Sequence, residues 1–113
     1  MTVKEAIERS GAVYTADGEG ERLVSLITEL ESRISIEMLQ KDAPIGITVG
    51  SVLSVPDAYA SVYPLYLMMK RELFCGDAER YAFYLAEFSR AYSEYFSYVK
   101  RNGNGAKALI KTV

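Results

Sequence analysis

"YAFYLAEFSRAYSEYFSYV", residues 81–99, carries eight aromatic rings in nineteen positions of a chain that has no tryptophan and no histidine. Rings at this density can stack on bases, sink into a membrane surface, fill a core or join subunits, and their spacing discriminates between these. On a helical wheel Tyr81, Tyr84, Leu85, Phe88, Tyr92, Tyr95 and Val99 fall within a sector of about 100°, the width of a core-facing stripe. The stretch therefore reads as part of one long helix ending near Arg101; its roughly 25 residues would span about 37 Å at 1.5 Å per residue. Tyrosine in place of leucine brings a hydroxyl that must reach water or a partner, so the stripe suits the shallow rim of a core or an interface. Phe83 lies nearly opposite, in line with Glu87, Arg90 and Glu94, and with Tyr98 it is a candidate for subunit contact.

Upstream, Gly76-Asp77 reads as a turn in which glycine ends one helix in a positive-φ conformation and Asp77 caps the next. The preceding "PLYLMMKRELF", residues 64–74, is apolar on most sides and so predicts a helix central in a bundle. Asp57 opens that helical region, and Pro64 inside it predicts a kink or restart. Residues 43–56, "APIGITVGSVLSVP", are uncharged and β-branched with two prolines and two glycines; they predict an extended arm or a small hairpin over 43–55. Such an edge either folds back on the helices or is offered to a neighbouring chain, which makes Ile47, Val49, Val52 and Leu53 candidate interface residues.

From Glu21 to about Gln40, Leu23, Leu26, Ile27, Leu30, Ile34 and Met38 recur at helical spacing, while Arg22, Glu29, Glu31, Arg33 and Glu37 form the opposite, solvated face. "YTADGEGE", residues 14–21, reads as a mobile acidic loop: as a calcium loop it lacks the glutamate at the twelfth position and misplaces the glycine. Thr2 and Glu5 form a capping box for a short helix from Val3 to about Ser10, whose small apolar stripe must dock on something larger. The expected architecture is mainly α: a single four-helix domain over residues 1–101 with a long C-terminal helical hairpin and the arm, followed by a flexible tail over 102–113. Its expected core includes Leu26, Leu30, Tyr66, Tyr81, Leu85, Phe88, Tyr92 and Tyr95.

Composition narrows the function classes. The single Cys75 cannot close an intramolecular disulfide and reads as a buried, inert thiol. No apolar run approaches a transmembrane length and residues 1–11 mix acids with bases, so a soluble chain without a cleaved leader is expected. Net charge is −2, against non-specific duplex binding, but residues 1–57 carry 5 bases and 10 acids while residues 58–113 carry 8 bases and 5 acids. This polarity suits head-to-tail contacts between copies. Interleaved rings and arginines leave single-strand stacking as a rival reading, while the polar face is too poor in cations for a membrane surface. Without histidine, a metal-ligand cluster, a phosphate-cradling loop or a serine elbow, no catalytic residue, cofactor or metal is expected.

Read as one line, "MTVKEAIERSGAVY" (1–14), "LVSLITELESRISIEML" (23–39) and "VPDAYASVYPLYLMMKRELFCGDAERYAFYLAEFSRAYSEYF" (55–96) resembles the small head-tail connector, or neck, proteins of tailed bacteriophages and prophages. Its most characteristic run is Val55-Pro56, Tyr59, Tyr63, Tyr66, Leu67, Gly76, Tyr81, Phe88 and Tyr92. Cys75 stands where a polar turn residue is expected, and Pro64 interrupts a helix usually continuous there. The resemblance implies a non-enzymatic virion structural part, also present in the bacterial host cytoplasm during assembly or from a prophage. Its implied partners are further copies of itself in a ring and the portal and tail-side proteins, with DNA only passing through. The rival expectations are a helical interaction module dimerising through the last helix, and a DNA-packaging or nucleic-acid-binding accessory protein.

Overall fold

The computed structural model describes residues 1–102 and contains four helices: α1 (Val3–Arg9), α2 (Gly18–Glu37), α3 (Val62–Cys75) and α4 (Ala78–Asn102). A single 3-10 turn, Asp57–Tyr59, precedes α3. The expected tail lies outside the described residues apart from Asn102, which ends α4. α3 is the central helix, touching α1, α2 and α4. Around it the core is assembled from Val3, Ala6 and Ile7 of α1, Ile27, Leu30 and Ile34 of α2, and Phe88, Tyr95 and Val99 of α4.

The arm corrects the expectation of a β-hairpin, for no strand forms among the described residues. The backbone groups that would have paired within the hairpin are used by the start of α1. Val3 N–H donates to the Ser51 carbonyl at 3.0 Å and Lys4 N–H to the Val49 carbonyl at 2.9 Å, satisfying two first-turn amides that a helix leaves without partners. Leu53 N–H donates to the Met1 carbonyl at 2.9 Å, and Thr2 and Val52 form one isolated antiparallel bridge. The Thr2–Glu5 capping box closes the remaining donors of that turn.

α2 starts three residues earlier than its hydrophobic period predicts and ends earlier too. Asp17, expected in a mobile loop, is the N-cap: its carboxylate accepts from Glu19 N–H and Gly20 N–H, both at 3.1 Å, and from the Thr15 hydroxyl at 2.6 Å. The approach is close enough that a Cβ at Gly20 would lie 1.6 Å from the Thr15 carbonyl oxygen. At the other end Met38 caps the helix and Gln40, at φ 53°, turns the chain away. Pro64 neither kinks nor breaks α3: the helix restarts at Val62, so Pro64 occupies the first turn, where its missing amide has no intrahelical partner to lose. The α3–α4 turn has the expected chemistry, Gly76 at φ 79° and the Asp77 carboxylate accepting from Arg80 N–H at 3.0 Å.

The charged side of α2 is less solvated than its spacing implies. Glu31 is only 4% exposed, and its carboxylate accepts from the Tyr63 hydroxyl at 2.6 Å and from Ser54 N–H at 2.7 Å. The same Tyr63 oxygen accepts from Val55 N–H at 3.2 Å, so one phenol joins α2, α3 and the end of the arm. Two exposed α2 carboxylates are used similarly: Glu29 accepts from the Tyr66 hydroxyl and lies 3.9 Å from Lys70, and Glu37 accepts from the Tyr92 hydroxyl at 3.1 Å. The hydroxyls of Tyr63, Tyr66 and Tyr92 are thus placed on carboxylates instead of water.

Burial first, and then these carboxylates, push the Tyr63, Tyr66 and Tyr92 phenols upward, Tyr92 from 10.0 to about 12. A raised folded-state value means full stability below pH 10.0 and loss as the pH climbs through about 12. In an alkaline titration, tyrosinate absorbance from these rings should therefore rise together with the loss of helical circular dichroism. Tyr63→Phe should lower stability by about 1–3 kcal/mol, because it leaves Val55 N–H without its acceptor and Glu31 with one donor fewer. Urea midpoints at unchanged slope would measure it.

Candidate functional site

The hairpin of α3 and α4 is covered along only part of its length. No residue from 78 to 87 is buried, because α1 and α2 pack on α3 and nothing packs on the outer side of the first half of α4. Four large apolar side chains stand exposed on this end of the hairpin, Leu73 and Phe74 in the last turn of α3 and Phe83 and Leu85 in α4. Phe83 is 59% exposed, with its ring edge-on to Tyr84 at 5.1 Å. Leu85, expected in the core stripe, is 39% exposed. The stripe that faces α3 passes through Ala91 and Tyr98 instead, both partly buried and packed against the core.

Along that stripe the rings meet in two groups. Phe88 lies 5.3 Å from Tyr66 and 5.4 Å from Tyr92, while Tyr59 lies 5.7 Å from Tyr95 and 4.9 Å from Tyr98. Tyr98 is therefore half-buried against the 3-10 turn and is not a freely offered interface ring. Tyr66, Phe88 and Tyr95 are buried, Tyr81 and Tyr92 are half-buried, Leu30 is buried and Leu26 is half-buried. The stripe holds packed rings, not a groove open to bases. Three of the four bases of α4 are similarly engaged: Arg80 lies 3.3 Å from Glu72, Arg90 2.7 Å from Glu87, and the Lys100 ammonium sits 5.3 Å from the Phe96 ring centroid.

The arm divides into two parts. Leu53, expected at an interface, is buried with Val55 in the core, because the backbone pairing with residues 1–4 turns its side chain inward. Ile47 and Val49 are half-buried, and Val52 alone of the four arm candidates is exposed. Ahead of them stands Ile45, 95% exposed, which lies in the same uncharged segment but was not among the candidates.

A cleft of about 350 Å³ opens at the other end of α2, between the α1–α2 connection, the first turns of α2 and the last turn of α3. Leu23, Leu26 and Leu67 line it, with Phe74 and the exposed Cys75 at its edge. The Arg22 guanidinium lies over the Phe74 ring at 4.3 Å from its centroid, and Arg71 donates to the Ser10 carbonyl at 3.1 Å. Sequence periodicity could place Leu23 and Leu26 on an apolar face but could not indicate that α3 ends too soon to cover them. Among the described residues no group of three His, Cys, Asp or Glu side chains could hold a metal ion, and no helix is long and apolar enough to cross a membrane.

Cys75 was expected to be buried, but the last turn of α3 leaves it at the surface. Ellman's reagent should accordingly titrate one thiol in the native protein without denaturant, at a rate that urea raises only slightly.

Comparison of the chain with family models, with curated proteins and with solved structures returned no match in any of the three.

Proposed function

We propose that the protein is a non-enzymatic connector subunit of a tailed bacteriophage or prophage, one that joins portal to tail by assembling into a ring. The observation that carries this reading is the uncovered end of the α3–α4 hairpin. Leu73, Phe74, Phe83 and Leu85 stay exposed there, although the same helices bury Tyr66 and Phe88 further along. Exposed large apolar side chains gathered on one element mark a protein contact more often than a solvated surface. The resemblance of residues 1–39 and 55–99 to neck proteins, and the acidic first half against the basic second half, favour contacts between copies. As a neck component it would reside in the virion, and in the host cytoplasm before assembly, meeting portal and tail-side proteins while DNA passes through the ring.

A nucleic-acid-binding role is less well supported, because Phe88 and Tyr95 of α4 are packed in the core and Arg80 and Arg90 lie against carboxylates. Dimerisation through α4 is the nearer rival, since it would use the same exposed hairpin end.

Sedimentation across a wide concentration range discriminates between these readings. Closed oligomers above the dimer support the connector reading, a dimer that grows no further supports the interaction module, and a monomer at millimolar concentration overturns both. Phe83→Asp should leave the urea midpoint within about 0.5 kcal/mol of wild type, as surface changes do, while weakening association. A gel shift that disappears steeply with salt would favour the nucleic-acid reading instead.

A further inference from the structure

We propose that Ile45 of one copy seats in the cleft over Leu23, Leu26 and Leu67 of the next, a head-to-tail contact repeated around the assembly. The inference rests on the ring reading above and names a contact that meets the hairpin end only at Phe74 and Cys75.

Ile45 is the most exposed large apolar side chain among the described residues, at 95%. An isoleucine in that position adds nothing to folding of its own chain, yet the backbone holds it outward. Pro44 before it has a locked φ, and Gly46 after it sits at φ 73°, a conformation that side chains resist. The loop is tied on both sides, by Lys41 N–H donating to the Ser35 carbonyl at 3.0 Å and by Ser51 with Thr48 closing the turn at 3.0 Å. It is thus a fixed protrusion carrying one apolar side chain.

The cleft supplies what that side chain lacks. Its volume of about 350 Å³ holds roughly a dozen waters at ~30 Å³ each, and those over Leu23, Leu26 and Leu67 find few hydrogen bonds, so displacing them favours association. The charges match as well. Asp42, three residues before Ile45, has no ion pair or hydrogen bond among the described residues; Arg22 and Arg71 line the cleft, and their partly exposed guanidinium groups, 3.6 Å from Glu19 and 3.7 Å from Glu72, form weak surface pairs that leave them open to a further carboxylate.

The placement of the two features sets the direction of the contact. The cleft lies over the first turns of α2 and the protrusion follows its last turn, and 20 residues of helix separate them by about 30 Å. A chain of this geometry does not fill its own cleft. Joining unlike surfaces of successive copies builds a ring where the rotation closes and a filament where it does not.

Cys75 at the cleft edge, the chain's single cysteine, makes the contact testable. A tagged Ile45→Cys/Cys75→Ser chain is mixed with untagged wild type, oxidised, and run on a non-reducing gel beside each chain oxidised alone. A product of mixed mass, absent from either chain alone, is expected. The single Ile45→Cys variant, which retains Cys75, should extend into a ladder of trimers and above. Ile45→Asp, at a fully exposed site, should keep the native helical signal and weaken association about tenfold or more, the equivalent of losing one buried aliphatic side chain. Oligomers that persist in sedimentation without the mixed product, or that ignore Ile45→Asp, would overturn this contact and leave the ring reading standing. Cross-linking that stops at the dimer would overturn the head-to-tail direction in favour of a reciprocal pair. Absence of both oligomer and cross-link would overturn this contact together with the ring reading.

Discussion

The hydrogen bond from Tyr63 to Glu31 is the interaction on which the fold depends. Tyr63 has no exposed surface and Glu31 almost none, and no cation accompanies them. A buried carboxylate is tolerated only when its oxygens are satisfied, and here the phenol and the amide of Ser54 supply the donors. Those same groups fix where the arm ends and where α3 begins. Val55 N–H donates to the phenol oxygen, which holds Val55 itself in the core and delivers the chain to the 3-10 turn and Val62. The arrangement joins α2, the arm and α3 at one point of low dielectric, where an unpaired group would cost far more than at the surface.

From that junction the two ends of the molecule acquire different characters. Near it, the 3-10 turn brings Tyr59 onto Tyr95 and Tyr98, and Tyr95 and Val99 in the second half of α4 are buried. Away from it, α3 and α4 continue with no third layer, and their apolar side chains are left in solvent. This uncovered end is the physical basis of the assembly reading. A helix of 25 residues paired with one of 14 cannot be covered on both flanks by a 20-residue α2 that packs chiefly on α3. The exposed cleft near the start of α2 follows from the same mismatch in length.

Much of the fold was legible in residue order. The capping box at Thr2 and Glu5, the apolar period of α2, the Gly76-Asp77 turn and the aromatic stripe of α4 are local features, each governed by backbone or helix geometry within a few residues. The candidate site was less legible. Phe83 could be placed off the stripe by wheel angle, but Leu85 lies at the sector's edge, where a shift of a few degrees decides between core and solvent. Leu53 and Ile45 belong to one uncharged segment, and nothing in their composition distinguishes the side chain that is buried from the one that protrudes. Asp17 was legible as an acid and illegible as a cap, since the hydrophobic period of α2 begins a full turn after the helix does.

By itself, then, the sequence determined which segments are helical, where α1 and α4 start and stop, and which side of each is apolar, because those properties rest on contacts four residues apart or fewer. Only the tertiary structure decided that the arm pairs with the start of α1 instead of with itself, that Glu31 is an acceptor inside the core, and that one end of the hairpin is left uncovered. These outcomes depend on which backbone donors and apolar faces remain without partners once the helices have met. That remainder belongs to the assembled molecule and to no single stretch of it.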